Sequence, residues 1–233
     1  MKFIVEEDFF NKVGNAYFGV IIVRGFDNKK TNNKITKLLK NSVSKSMDEL
    51  KDVRVKETDL VIPYRDAFVE LGINPNKFMC SIEALLTRLS KGKEIPSINP
   101  IVDLGNALSI KYNLPVGIHD IDNFDGDIML KKCNNEDTFV PFGSSEVELI
   151  DEGEYCYVSG HEVKTRKWTW RQGEKSKIDE NSTNLFIPID GFHDINKDKV
   201  EKLQEEFVKF LQDNYDVEIN TGFVDINNRE FEF

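Results

Sequence analysis

Positive charge is scarce in this chain: 31 lysines and arginines stand against 41 aspartates and glutamates, for a formal charge of −10 at pH 7. That balance supplies no overall field to draw in DNA or RNA, so any nucleic-acid contact has to rest on a local patch. Cysteine is scarce as well. Cys80, Cys133 and Cys156 are far apart, odd in number and without a C-x-x-C pair, which speaks against a disulfide framework or a zinc knuckle and suits a reducing cytoplasm. No apolar run approaches the roughly 20 residues that a membrane-spanning helix needs. The opening residues Met1 to Asp8 turn acidic after four positions, unlike a secretory signal. Only His119, His161 and His193 offer imidazole chemistry, and G-x-S-x-G, H-E-x-x-H, Walker and G-x-G-x-x-G patterns are all missing. The acyl-serine, zincin, nucleotide-hydrolase and dinucleotide classes therefore lose their usual support, and neither a cofactor nor a metal is expected.

What remains, 39% hydrophobic and 31% charged over 233 residues, is enough for a core built without staples. β-Branched density predicts a buried strand over 17–24, paired with one over 2–5. Ile35, Leu38, Leu39, Val43 and Met47 mark an amphipathic helix in 31–52, whose exposed side carries most of the early lysines. Two more helices are expected between 62 and 92, and Asn99-Pro100 opens another, with Asn99 as N-cap and Pro100 in the first turn. Strands are expected at 127–132, 138–142, 154–158, 161–170 and 184–189, then a helix over 198–214 and a final strand near 217–226. The pattern predicts one α+β domain over 1–233, a meandering sheet or small open barrel with helices packed on it.

Three constellations carry candidate chemistry. Asn99, Asp103 and Asn106 converge at the start of one helix. The island Lys164 to Gln172 combines positive charge and indole in an acidic chain: on a continuous strand Lys164, Arg166, Trp168 and Trp170 share a face, with Lys167 and Arg171 opposite. Such a face suits a base or an amino-acid ring together with phosphate, although a tryptophan-anchored core strand uses the same residues. The acidic run Asp120 to Asp127 is not a calcium loop, because Phe124, Asp125 and Lys131 occupy positions that require a ligand, a glycine and a glutamate. It reads as an aspartate-capped turn. Cys80, at a helix start, is either a thiol with a lowered pKa or simply a packed side chain.

In order, Arg65-x-x-Phe68-x-x-x-Gly72-x-x-Pro75, Ser81-x-Glu83-Ala84-Leu85-Leu86-x-Arg88, Pro96-x-x-Asn99, Val102-Asp103-x-x-Asn106 and Asp120-x-Asp122-x-x-x-Gly126 resemble the tRNA-binding and editing domain of the bacterial phenylalanyl-tRNA synthetase β subunit, its fused third and fourth modules. The similarity covers roughly 62–192. It leaves the amino-terminal strands and helix and the carboxyl-terminal helix and strand as packing additions. The resemblance implies an editing-domain fold and a cytoplasmic protein of translation that acts in trans. It implies recognition of a tRNA acceptor end or a related aminoacylated small molecule, with hydrolysis of the aminoacyl ester. DNA and membranes are not expected partners. Gly117 falls where that family carries its histidine, Pro188 near its phenol-reading glutamate, and Trp168 to Gln172 over its paired glycines. The candidate catalytic residue is then His119; the expected pocket is Asp103, Asn106, His119, Trp168, Trp170 and Gln172; and the expected phosphate contacts are Lys164, Arg166 and Arg171. A non-catalytic RNA- or amino-acid-binding module and a protein-interaction domain are the alternatives.

Overall fold

A computed structural model describes residues 1–233. The helices are α1 (Glu7–Lys12), α2 (Asn33–Glu49), α3 (Ile62–Glu70), α4 (Ser81–Ser90), α5 (Pro100–Tyr112) and α6 (Lys197–Asn214). The strands are β1 (Lys2–Val5), β2 (Ala16–Arg24), β3 (His119–Asp120), β4 (Ile128–Lys132), β5 (Thr138–Phe139), β6 (Glu148–Leu149), β7 (Tyr155–Ser159), β8 (Glu162–Arg166), β9 (Arg171–Gln172), β10 (Leu185–Phe192), β11 (Glu218–Val224) and β12 (Glu230–Glu232). They form two open sheets. One runs β12-β1-β4-β7-β8-β5-β6 with β9 also paired to β8, and the other runs β11-β2-β10-β3. The mixed α+β class, with open sheets and helices packed on them, is as the sequence predicts.

The two sheets meet through an aromatic seam. Phe3 of β1 stacks on Tyr157 of β7 and packs against Phe18 of β2 and Phe186 of β10, with ring centroids 5.2–5.9 Å apart. Side chains of this size bury more apolar area than any others, which is why the seam dominates the core. On its other side the β2–β10 pair is covered by α6. Its Val200 lies so close that a Cβ on Gly191 would stand 2.5 Å from Cγ2 and one on Gly19 would stand 2.9 Å from Cγ1. Glycine is what lets the helix sit down on these strands. With both faces covered, β2 and β10 are buried almost end to end, so they read as continuous apolar runs without clean alternation.

The expected pairing of β1 with β2 is corrected. β1 lies between β4 and β12 in one sheet, whereas β2 lies between β10 and β11 in the other. The hairpin logic fails because the short helix α1 buries Phe9 and Phe10 between the two strands and redirects the chain. The amino-terminal segment, expected as a packing addition to 62–192, supplies the inner strand β2.

The helix termini follow local chemistry. Asn99 caps α5 through a bond from the Val102 amide at 3.1 Å, with Pro100 in the first turn, as predicted. At the other end Asn113 adopts φ 58°, the left-handed cap that asparagine tolerates. The acidic run is a capped turn: Asp120 accepts from the Asp122 amide at 3.0 Å and from Ser182 Oγ at 2.7 Å.

Candidate functional site

The site is set by the place where β8 stops. The strand expected over 161–170 ends at Arg166, and the chain turns through Lys167 (φ 48°) and Trp168 (φ 60°), a left-handed conformation that side chains of this size rarely adopt. Glu154 holds that turn. It accepts from Arg166 Nε at 2.9 Å and Nη2 at 2.8 Å, from the Lys167 amide at 3.2 Å, and from Lys167 Nζ. Burial pushes the Glu154 pKa up, but the hydrogen bonds and charges of Arg166 and Lys167 outweigh it and hold the carboxylate below its ordinary range.

The turn reverses much of the expected assignment. Trp168 is fully buried among Phe9, Tyr64, Phe68 and Phe192, and is an anchor of the core. Lys164, expected to meet phosphate, is 1% exposed and donates to the Asn123 carbonyl at 2.8 Å and to Glu162 at 3.1 Å. Burial lowers its pKa. Arg166, expected in the same role, is committed to Glu154 and to Glu148 at 3.2 Å. Arg171 is the exposed cation of the island: no carboxylate lies within ion-pair distance, and its guanidinium stands 6.0 Å from the Trp170 ring centroid.

Beside the turn lies a cavity of about 90 Å³, lined in part by Gly117, His119, Tyr157, Trp170, Gln172 and Asp190. Four of the six expected pocket residues, His119, Trp168, Trp170 and Gln172, line it. Asn106 does not; it lines an adjoining depression that shares Val116 and Gln172 with the cavity and is flanked by the exposed Phe142 and Ile98. Asp103 is turned away. Its carboxylate accepts from the Ile98 amide at 2.8 Å and from Ser97 Oγ, and so fixes the loop before α5.

His119 is 1% exposed, with Nδ1 3.1 Å from Ser176 Oγ and Nε2 3.5 Å from Thr165 Oγ1. Burial, aided by the Lys164 charge, pushes its pKa down to about 3, so it is a neutral imidazole near pH 7. As a proton carrier near neutrality it is mistuned, but as a hydrogen-bonding wall it is well placed. Gln172 clamps the same corner, its amide donating to the Ile118 carbonyl at 2.8 Å and the Ser176 carbonyl at 3.0 Å. Cys80, whose helix-start position allowed a lowered pKa, is buried, and burial pushes it up to about 12.

The residue that sequence reasoning missed is Asp190. It is 2% exposed, and its Oδ1 accepts from Tyr157 Oη at 2.6 Å and from Trp168 Nε1 at 2.7 Å, while Oδ2 has no protein donor. Burial pushes its pKa up to about 7 against those two hydrogen bonds. The signal was present: Asp190 is the single charged residue in the otherwise apolar strand Leu185–Phe192. A carboxylate in such a strand demands partners.

Two open sheets, a buried aromatic seam and a small polar-lined cavity define a mixed α+β domain with one candidate site. The family model of the B3/4 domain matches residues 63–217, and the chain belongs to that family, the phenylalanyl-tRNA synthetase β-subunit domain whose motifs it resembles. Among solved structures it is similar to an N-terminal fragment of the phenylalanyl-tRNA synthetase β subunit from Pyrococcus horikoshii, with 10% identity and a TM-score of 0.48 over 93% of this chain and 49% of that one. The chain thus spans about half the length of that fragment. No curated protein matches it. No helix is long and apolar enough to cross a membrane.

Proposed function

We propose that this protein binds the aminoacylated end of a tRNA, or a related aminoacylated small molecule, and hydrolyses the ester in trans as a cytoplasmic editing activity. Membership of the B3/4 family supports the tRNA connection. The observation that carries the reading is the cavity, where polar atoms from β3, β8, β9 and β10 converge beside the half-buried Trp170. It is smaller than the roughly 300–1,000 Å³ of drug-sized ligand pockets. That suits an aminoacyl head, with the nucleoside left to the adjoining depression between Phe142, Asn106 and Gln172.

An aminoacyl ester is already activated, so a positioned water with hydrogen-bonding groups for the developing oxyanion is sufficient chemistry. His119, neutral near pH 7, orients that water or the terminal ribose and is not the proton acceptor. Arg171 is the cation available to phosphate, in place of Lys164 and Arg166. With a net charge of −10, affinity for whole tRNA is weak and salt-sensitive.

The test is to incubate the protein with a panel of mischarged tRNAs and follow release of free amino acid. Deacylation of at least one above the buffer rate is expected, and no release from any of them overturns the hydrolytic reading. A non-catalytic binding module is the second reading, favoured by the low pKa of His119. It predicts protection of the ester against spontaneous hydrolysis.

A further inference from the structure

Asp190 is an acid without a counter-charge. The basic side chains of its neighbourhood are already committed: Arg166 and Lys167 to Glu154, and Lys164 to Glu162. What faces Asp190 is neutral. Tyr157 comes from β7, Trp168 from the turn after β8, and from α3 the Tyr64 hydroxyl, which donates to the Asp190 backbone carbonyl at 2.9 Å. His119 of β3 and Gln172 of β9 complete the cavity, and Arg171 at its mouth is the one other charged lining residue. Asp190 has one carboxylate oxygen fully hydrogen-bonded and the other unpartnered in a cavity bounded by Tyr157, Trp168 and Trp170. A carboxylate oxygen among aromatic rings is complementary to a small, hydrogen-rich cation, through charge-assisted hydrogen bonding to the oxygen and attraction to the ring faces.

We propose that Asp190 is the anchor for a primary α-ammonium group, so that the cavity selects ligands with a free amine next to the acyl carbon over their N-acylated counterparts. The cavity size points to the same class, since about 90 Å³ admits an ammonium and the atoms next to it but no nucleotide. The choice of an aminoacyl ligand rests on the proposed function; the choice of a cation rests on Asp190 and its surroundings. An N-acyl group replaces the ammonium with a neutral amide, leaving the Asp190 charge uncompensated and adding bulk in a cavity of about 90 Å³.

The full chain is titrated with L-phenylalaninamide, L-leucinamide and L-methioninamide and with their N-acetyl derivatives, following the combined fluorescence of Trp168 and Trp170 and amide NMR shifts. At pH 7.5 at least one free amine is expected to bind about tenfold or more tightly than its N-acetyl partner, and Asp190→Asn is expected to erase that difference. Wild-type protein supplies a second readout that needs no variant. Between pH 7.5 and 5.0 Asp190 takes up a proton while the ligand amine, partly charged at pH 7.5, becomes fully charged, so a preference for the amine that depends on the Asp190 carboxylate is expected to collapse. Exposed carboxylates stay ionised over that range and give no such loss. Equal affinity for amine and N-acetyl ligands, a preference that survives at pH 5.0 or in Asp190→Asn, or no binding of any amide each overturns the proposal. Binding of the amines without deacylation of any tRNA ester leaves the anchor standing and removes the hydrolytic reading alone.

Discussion

Arg166 and Glu154 meet side-on through two hydrogen bonds, Nε to Oε1 at 2.9 Å and Nη2 to Oε2 at 2.8 Å, and Lys167 approaches the same carboxylate. This network fixes the left-handed turn that delivers Trp168 to the core and Trp170 to the cavity. Glu154→Ala leaves two buried cations side by side, with only the half-exposed Glu148 still paired to Arg166, and breaking a buried pair this way costs on the order of 3–5 kcal/mol. The expected result is a large drop in midpoint on urea unfolding with an unchanged slope. Glu154→Gln, which retains an acceptor, is expected to lose less.

The same network predicts which arginine an RNA senses. Arg171 lacks a carboxylate partner and Arg166 is paired, so Arg171→Ala is expected to weaken tRNA binding and to reduce the slope of log affinity against log salt by about 1. Arg166→Ala, measured at a temperature where it remains folded, is expected to leave that slope unchanged. Equal slopes for wild type and Arg171→Ala would remove Arg171 from the interface.

The sequence made the elements legible wherever periodicity and capping are local. Ile35, Leu38, Leu39, Val43 and Met47 mark the apolar stripe of α2, of which Ile35 and Leu39 are buried, and Asn99-Pro100 places the start of α5. It left the pairing illegible, because β2 is buried on both faces and its pattern cannot name its neighbours. The site was half legible for a similar reason. Composition singles out Trp168, Trp170 and Gln172, but the faces expected of them hold only for a strand that runs on through Trp168, and β8 ends at Arg166. Nothing in Lys164 to Gln172 signals the turn, since its cause is the distant Glu154. A lone aspartate within Leu185–Phe192 is a stronger anomaly than the histidines, and it marks Asp190.

His119 and Asp190 pull the pH dependence of stability in opposite directions. The His119 pKa is depressed to about 3 in the folded state, so its contribution is full above the unfolded value of 6.5 and is lost as pH falls toward 3. The Asp190 pKa is raised to about 7, so its contribution is full below 3.8 and is lost as pH rises through 7. Thermal unfolding from pH 4 to 8 is expected to show Asp190→Asn gaining on wild type as pH rises. His119→Gln is expected to gain on wild type as pH falls below 6.5. Parallel stability curves for wild type and either variant would contradict the corresponding shift.

Gly117 tests how tightly the cavity is drawn. A Cβ built there would stand 3.0 Å from Pro188 Cγ and 3.1 Å from His119 Nε2, closer than ordinary contact yet near enough for the neighbours to yield by a few tenths of an ångström. Gly117→Ala is therefore expected to fold with a loss on the order of 1–2 kcal/mol, in the range of a one-methyl overpacking. The added methyl faces His119, so the displaced imidazole strains its contacts with Ser176 and Thr165 and narrows the cavity. Binding of small amines, and any ester hydrolysis, is expected to fall by more than stability does. An X-ray structure of the variant would show the His119 ring shifted, and full binding with an unmoved ring would mean that the ligand site does not reach Gly117.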